Sequence, residues 1–163
     1  MRDRPFGRPR DRNQLSIAIV RAVTSIAVVL VLLNGCDSDD GSTVTVEADA
    51  GAIELHVEVA EGDDELAEGL SGREAIADDE GLLMVFPEEG RPALWMRDTG
   101  IALSAAFLSA DGVILDLVDL EPYSLEVRHG PAGSRYALEV ARGWFERVGV
   151  SAGDRVDLST ALR

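Results

Sequence analysis

Cysteine and histidine are scarce in this 163-residue chain: Cys36 is the only cysteine, and His56 and His129 are the only histidines. One cysteine cannot form an intramolecular disulfide. One cysteine and two separated histidines also do not form the kind of cluster that binds structural zinc. The fold must therefore be stabilised by a hydrophobic core, which a domain of about 120 residues can supply without staples.

Lysine is absent, so every basic side chain is an arginine, and acidic residues outnumber basic ones by 30 to 15. The charge is unevenly divided, because residues 1–35 carry a net +4 while residues 36–163 carry −19. A domain this acidic repels phosphate groups, so we expect no nucleic acid partner. It also repels anionic lipids, so we do not expect the domain itself to bind a membrane surface.

Motifs that bind the common cofactors are also missing. The chain contains neither GxGxxG nor GxxxxGK[ST], the glycine-rich loops that hold dinucleotides and nucleotide phosphates. Ser71, Ser104 and Ser109 have no convincing histidine and aspartate partners for a hydrolase triad. We therefore expect no cofactor, and the sequence contains no complete catalytic set.

The N-terminal segment has the order of a bacterial lipoprotein signal. A basic stretch, residues 1–21, precedes a twelve-residue apolar run, residues 22–33. The small residue Gly35 then stands directly before Cys36. This order predicts cleavage before Cys36 and attachment of a lipid to its side chain.

Three regions follow from this interpretation. Residues 1–35 form the signal segment, and residues 36–51 combine the lipid attachment site with a flexible acidic tether. Residues 52–160 form one globular domain. The division matches the change in charge from basic to strongly acidic.

An uncleaved membrane helix is the alternative to a lipid anchor. Leu15 to Leu33 covers 19 residues, about 29 Å as a helix, which is enough to cross the hydrocarbon core. The positive-inside rule leaves the arginines in the cytoplasm in both cases. Either anchor therefore places the domain at the outer face of the cytoplasmic membrane, in the cell envelope.

Short apolar runs of strand length dominate the domain. Residues 52–60 alternate between apolar and polar side chains, the pattern of a half-buried β-strand. The sequence Ala110-Asp111-Gly112 is a strong hairpin turn signal between two further runs. The other predicted strands are residues 81–86, 93–96, 102–109, 113–120, 136–140 and 155–158.

Two short helices complete the predicted domain. Asp63 is suited to cap the first, which we expect to end at Gly72. Trp144 begins an apolar helix face in the second, which stops at Gly149. Many closely spaced strands and few helices predict a mainly β fold, a compact β-sandwich or barrel-like domain.

An ordered set of short motifs spans nearly the whole domain. The motifs are Glu68-Gly69-Leu70-Ser71-Gly72-Arg73, Gly81-Leu82-Leu83-Met84-Val85-Phe86-Pro87-Glu88, Trp95-Met96-Arg97-Asp98-Thr99, Phe107-Leu108-x-x-Asp111-Gly112, Glu121-Pro122, Tyr136-x-Leu138-Glu139-Val140 and Gly153-Asp154-Arg155-Val156. In this order they resemble domain-of-unknown-function family 192, also called uncharacterised protein family 0127. The resemblance implies a compact, mainly β protein, often exported or lipid-anchored, and it implies no established activity.

Several polar positions depart from the pattern of that family. Ser71 stands where the family usually has methionine, and Asp98 where it usually has asparagine. Ser104 replaces an aspartate, Tyr123 replaces a cysteine, and Ala141 replaces an asparagine. If these positions form a catalytic site in the family, the resemblance implies an impaired or altered activity in this chain.

The densest candidate binding site is the segment Trp95-Met96-Arg97-Asp98-Thr99. It combines an aromatic ring with a cation, a carboxylate and a hydroxyl, a mixture that suits one wall of a small-molecule pocket. The alternative interpretation is a core tryptophan beside a surface ion pair. Glu121 and Arg73 are further candidates, because Arg73 and Arg135 could pair with Glu121 or Glu139, or bind an anionic ligand.

Asp116 and Asp119 form a weaker candidate site for a metal ion. Asp116 interrupts an apolar face of the predicted strand 113–120, which is costly unless the carboxylate is paired or exposed. With Glu121, these carboxylates could bind a hard cation or perform acid–base chemistry. An edge strand with solvated acids is the alternative.

The leading functional hypothesis is a membrane-anchored extracytoplasmic domain that binds a small molecule or an envelope protein and is not an enzyme. A carboxylate- or metal-dependent hydrolase is the first alternative. It requires that some of the carboxylates of Asp98, Asp116, Asp119 and Glu121 converge in one cleft. A structural module of envelope assembly is the second, and it requires an exposed apolar patch.

The lipid anchor predicts that metabolic labelling with palmitate marks the wild-type protein and not the Cys36→Ser variant. The serine hydroxyl cannot replace the thiol that is acylated. Palmitate incorporated equally by both proteins would contradict lipid attachment at Cys36, and retention of the unlabelled variant in the membrane would favour the uncleaved helix.

Overall fold

The computed structural model describes residues 41–48 and 51–163. Cys36 and the predicted signal segment lie outside the described residues. No helix in these two ranges combines the length and hydrophobicity that crossing a bilayer requires. The elements are β1 Ser42–Ala48, β2 Gly51–Glu61, α1 Asp63–Glu68, β3 Glu80–Gly90, β4 Ala93–Leu94, β5 Leu103–Leu108, β6 Ile114–Leu120, β7 Arg128–His129, β8 Ser134–Ala141, α2 Trp144–Val148 and β9 Arg155–Asp157.

Seven of the strands form one curled sheet, a half-barrel, in the order β6-β5-β8-β3-β2-β1-β9. All neighbours in it are antiparallel except β2 and β3, which run parallel. The two short strands β4 and β7 form a separate antiparallel ribbon. The predicted mainly β, barrel-like fold with two short helices is confirmed.

The two edges of the sheet meet where β6 begins. Val113 forms an isolated bridge with Arg155. The Ile114 amide donates to the Asp154 carbonyl at 2.8 Å, and the Val156 amide donates to the Gly112 carbonyl at 2.8 Å. These bonds hold the curled sheet closed at one end and occupy backbone groups that an open edge would leave unpaired.

One face of the sheet packs against α2, and we call it the α2 face. Leu55, Leu83 and Leu138 from adjacent strands are fully buried in it. Trp144 and Phe145 of α2 cover this core, with their rings edge to face and their centroids 5.3 Å apart. Each such side chain contributes about 1.5–3 kcal/mol by leaving water.

The opposite face, which we call the α1 face, is also covered. Alternation along the strands turns Leu82, Ala105 and Phe107 towards it, and all three are buried. Its cover consists of α1, the residues that follow α1, and the segment around β4. A sheet buried on both faces explains why β5 is apolar, with one serine, along its whole length.

Most predicted elements are observed close to their predicted bounds, including the hairpin of β5 and β6 and the end of α2 at Gly149. Two boundaries require correction. The helix α1 ends at Glu68 and not at Gly72, because Gly69 adopts a positive φ of 51°. The domain begins at Ser42 and not at residue 52, since β1 occupies part of the predicted tether and pairs with both β2 and β9.

Gly112 lies where the two edges of the sheet meet, so its substitution should destabilise the fold. Its φ is +76°, and an added Cβ would overlap the Val156 carbonyl oxygen. Gly149 has nearly the same φ, +75°, with nothing within 4 Å of an added Cβ. We expect Gly149→Ala to cost about 1–2 kcal/mol from backbone strain alone, and Gly112→Ala to cost at least about 3 kcal/mol.

The measurement is the free energy of unfolding of the full-length protein in urea. Equal losses for the two alanine variants would show that the contact between Gly112 and Val156 does not close the sheet.

Candidate functional site

The predicted segment from Trp95 to Thr99 follows β4. Some of its side chains line a cavity, and the others face solvent. Trp95 (44 % exposed), Met96 and Thr99 line a cavity on the α1 face, and the last two are buried. Arg97 lies over the Trp95 ring, with its Cζ atom 4.5 Å from the ring centroid. Asp98 exposes 82 % of its side chain, so its carboxylate faces solvent.

Asp98 has a backbone role instead. Its φ of 60° lies in the left-handed region, which asparagine and aspartate adopt more readily than most residues. The turn directs the Asp98 carbonyl to the amide of Gly72, which donates to it at 2.9 Å. This bond joins the segment after β4 to the segment after α1, so the two cover the cavity together.

The cavity lies between α1 with its following turn, the segment after β4, and the α1 face of the sheet. Its volume is about 40 Å³. A single water needs roughly 10–15 Å³ measured in this way, so the space holds about three groups of that size. The lining residues are Leu66, Ala67, Glu68, Gly69, Leu70, Ser71, Met84, Ala93, Leu94, Trp95, Met96, Thr99, Leu103 and Glu139.

Glu139 provides the one deeply buried carboxyl group of this lining. It is 6 % exposed, and its strand neighbours on the α1 face are Leu82 of β3 and Ala105 of β5, both buried. No hydrogen bond to its carboxyl group is found among the residues that the structure describes, and its oxygens are not among the fully enclosed unpaired atoms, so they are accessible from the cavity. Burial raises the pKa of Glu139 to about 7, because the low-dielectric surroundings disfavour the charged form.

Sequence reasoning missed Glu139, which it treats only as an ion-pair partner for Arg73 or Arg135. The structure corrects both pairings. Arg73 is paired with Glu58. The Arg135 guanidinium lies over the Tyr136 ring at 5.6 Å, and one of its buried nitrogens has no hydrogen-bond partner within the described part of the chain. The available signal was a glutamate inside the apolar run of residues 136–140.

The oxygens of two hydroxyl groups in the lining are available to accept hydrogen bonds from a ligand. The Ser71 Oγ donates to the Arg97 carbonyl at 3.2 Å, and the Thr99 Oγ1 donates to the same carbonyl at 3.5 Å. A hydroxyl that donates its hydrogen to a carbonyl keeps its oxygen lone pairs free. Ser71, one of the departures from the family pattern, therefore adds an acceptor to the cavity wall.

The remaining predicted site residues lie elsewhere. Glu121 pairs with Arg142 at 2.7 Å, and Asp119 pairs with the same arginine at 3.2 Å. Asp119 also accepts from the Ser104 Oγ at 2.6 Å, while Asp116 accepts from the Leu117 amide at 3.0 Å. Asp119 and Glu121 therefore form ion pairs with Arg142, Asp116 accepts only from the neighbouring amide, and none of these contacts involves Asp98.

Metal ligation by these carboxylates has no geometric support. In residues 41–48 and 51–163, no group of three or more histidine, cysteine, aspartate or glutamate side chains is placed to hold an ion. The buried Ser104 has a structural contact instead, since its Oγ also accepts from the Gly143 amide at 2.9 Å. It thereby connects β5 to the turn before α2.

The fold and the site define a small, mainly β domain with a cavity that is lined by one buried carboxyl group. The sequence profile of the DUF192 family, described as Uncharacterized ACR, matches residues 44–158. The chain therefore belongs to the DUF192 family. No match is found among curated proteins.

Several solved structures are similar to this domain, including two crystal structures. One is a protein from Sinorhizobium meliloti 1021, provisionally described as a transcription regulator, with 30% sequence identity and a TM-score of 0.69. The alignment covers 71% of this chain and 92% of that one. The other is a protein of unknown function from Novosphingobium aromaticivorans DSM 12444, with 28% identity, a TM-score of 0.68, and coverage of 71% and 83%.

Glu139 makes stability depend on pH in a defined direction. Its pKa is about 7 in the folded protein against 4.5 in the unfolded chain. Below about pH 4.5 the group is protonated in both states and has no effect. As pH rises towards 7, only the unfolded chain loses the proton, so stability falls by up to about 3 kcal/mol and is then constant.

We expect the Glu139→Gln variant, which cannot ionise, to gain stability relative to wild type between pH 5 and pH 8. The measurement is the free energy of unfolding in urea at several pH values. Glu88→Gln, a substitution of an exposed glutamate, is the matched control and should show no such gain. A constant difference between Glu139→Gln and wild type across this range would contradict a raised pKa.

Proposed function

We propose that this domain binds a small molecule in the cavity beside Trp95, with Glu139 as the polar group that anchors the ligand. One observation carries the proposal: the carboxyl group of a glutamate that is 6 % exposed lines a cavity, and no hydrogen bond to it is found among the described residues. A hydrogen bond to a charged group contributes about 1.5–3 kcal/mol. A ligand that donates to this carboxylate gains that interaction.

The composition of the walls supports binding over a purely structural role. Leu70, Met84 and Leu103 provide apolar surface, and Glu139 is the buried polar group among them. Small-molecule sites use such apolar contacts together with placed polar groups that fix the orientation of the ligand. Trp95 is partly exposed at the open side, where its ring can contact the rest of a ligand.

Binding of a partner protein is a second candidate, because an exposed apolar patch lies next to the cavity. Tyr123, Leu125 and Val127 expose 68%, 73% and 44% of their surface. Val127 directly precedes β7, and Trp95 directly follows its antiparallel partner β4, so these two residues lie at the same end of the ribbon. Exposed patches rimmed by polar residues are typical of interaction sites.

The proposal includes an anchored position at the outer face of the cytoplasmic membrane. It is supported by the arginine-rich start, the apolar run of residues 22–33 and Cys36 directly after Gly35. Transcription regulation, named for the Sinorhizobium relative, is not part of the proposal. A net charge of −19 over residues 36–163 repels DNA.

A thermal-shift screen of small molecules tests the binding function. A ligand at 100 times its dissociation constant should stabilise the wild-type protein by about 2.7 kcal/mol. Trp95→Ala should reduce this shift, because it removes the aromatic contact at the open side of the cavity. Leu125→Ala is the matched control: it truncates an exposed apolar residue outside the lining and should leave the shift unchanged.

Shifts that survive Trp95→Ala at full size would remove the cavity from the proposal. Shifts lost in Leu125→Ala but not in Trp95→Ala would transfer the binding site to the exposed patch.

A further inference from the structure

We propose that the ligand of this cavity carries a primary ammonium group, which forms a charged hydrogen bond with the Glu139 carboxylate. This inference rests on the proposed function and specifies the chemistry of its ligand. The lining of the cavity presents several acceptors and few side-chain donors to match them.

The acceptors are the Glu139 carboxyl oxygens and the Ser71 oxygen, whose hydroxyl donates to the Arg97 carbonyl at 3.2 Å. The Thr99 hydroxyl lies 3.5 Å from the same carbonyl and can also accept a hydrogen bond. The Trp95 indole N–H, at the open side, is the one side-chain donor in the lining besides those two hydroxyls. A ligand that matches this set must donate several hydrogen bonds. An ammonium group has three N–H donors and no acceptor.

The charge of the lining selects the same chemistry. Its ionisable residues are Glu68 and Glu139, and it contains no arginine or histidine. An anionic group inside the cavity would meet like charge in the lining, since the cation nearby, Arg97, lies over the Trp95 ring and is not a lining residue. A cation is attracted by both carboxylates, and its hydrogen bond to a carboxylate is roughly twice as strong as a neutral one.

The shape of the cavity favours an alkylammonium over a guanidinium. A volume of about 40 Å³ accepts about three groups of the size of water, which suits an ammonium and the first carbons of its chain. The walls beside Glu139 come from Leu70, Met84 and Leu103, and they can contact methylene groups. A guanidinium is planar and directs five donors outwards, so it needs a wider space and more acceptors than an ammonium group.

Binding of an ammonium group would be linked to pH through Glu139. Burial raises its pKa to about 7, and the ammonium binds the ionised carboxylate. The other titratable residue facing the cavity is Glu68 at the end of α1. The portions of β3, β5 and the segment after β4 that line the cavity contribute no titratable side chain. Affinity should therefore rise about ten-fold from pH 6 to pH 8 and change little above pH 8 until the ammonium group loses its own proton at about pH 10.

The test measures binding of n-propylamine, n-propanol and propionate to the full-length protein by ligand-observed NMR titration. These probes differ in charge and donors at nearly constant size. We expect n-propylamine to bind best and to weaken about ten-fold from pH 8 to pH 6. Glu139→Gln should weaken it by at least about ten-fold and abolish the pH dependence, whereas the exposed-site control Glu88→Gln should bind like wild type.

The outcomes separate this inference from the proposed function. If n-propanol or propionate binds as tightly as n-propylamine, and binding still depends on Trp95, the ammonium chemistry is wrong and the binding function stands. If no probe binds, but the thermal-shift screen finds ligands whose binding is weakened by Trp95→Ala, the ammonium chemistry is again wrong and the binding function stands. The failure of both experiments would overturn the binding function as well. The probe comparison and the pH profile use wild-type protein, so they hold even if Glu139→Gln fails to fold.

A fourth probe, Nα-acetyl-lysine amide, identifies where such an ammonium group comes from. Tighter binding of this compound than of n-propylamine would support the inference with a lysine side chain as the source. Weaker binding would support it with a free small amine as the source.

Discussion

β2 and β3 run parallel, and a parallel pair cannot be joined by a tight turn. The chain must return along the sheet before β3 can begin, and it does so in the 18 residues between Glu61 and Glu80. These residues contain α1 and the turn after it, and they cover part of the α1 face. The roof of the cavity is therefore a consequence of one strand pairing in an otherwise antiparallel sheet.

The same constraint explains why Glu139 is buried. In a two-layer domain with one solvated face, a glutamate at this position of β8 would point into water and titrate normally. Here the crossing segment and the segment after β4 enclose it, and the bond from the Gly72 amide to the Asp98 carbonyl holds these two covers together. A residue that breaks the apolar pattern of a central strand costs stability, and such positions are typical of functional sites.

Much of the fold was predictable from local patterns, and the site was not. The hairpin of β5 and β6 follows from Asp111-Gly112 between two apolar runs, and the end of α2 follows from Gly149. β1 was missed because two apolar residues among threonines resemble a tether until β2 and β9 pair with them. The burial of Glu139 depends on residues 62–79 and 94–99, which are distant in sequence. The true partner of Arg73, Glu58, depends on the same crossing segment.

The candidate site also shows how a dense polar motif can mislead. The segment from Trp95 to Thr99 looked like a wall of mixed chemistry, and it contributes an aromatic ring, a methionine and a hydroxyl to the cavity. Its two charged members, Arg97 and Asp98, stabilise the segment itself through the ring contact and a left-handed turn. The charge that serves the cavity comes instead from β8, more than forty residues later.

The sheet joins the two ends of the domain, since β1 pairs with β9 and Val46 stands opposite Val156. A ribosome releases the chain from its N-terminus at about 5–20 residues per second, so β1 is exposed for roughly 5–20 s before its second partner exists. Pairing residues this far apart in sequence is also entropically slow. The half-barrel therefore cannot close during synthesis, and until the final strand arrives the nascent domain carries an unpaired edge on which other chains could assemble.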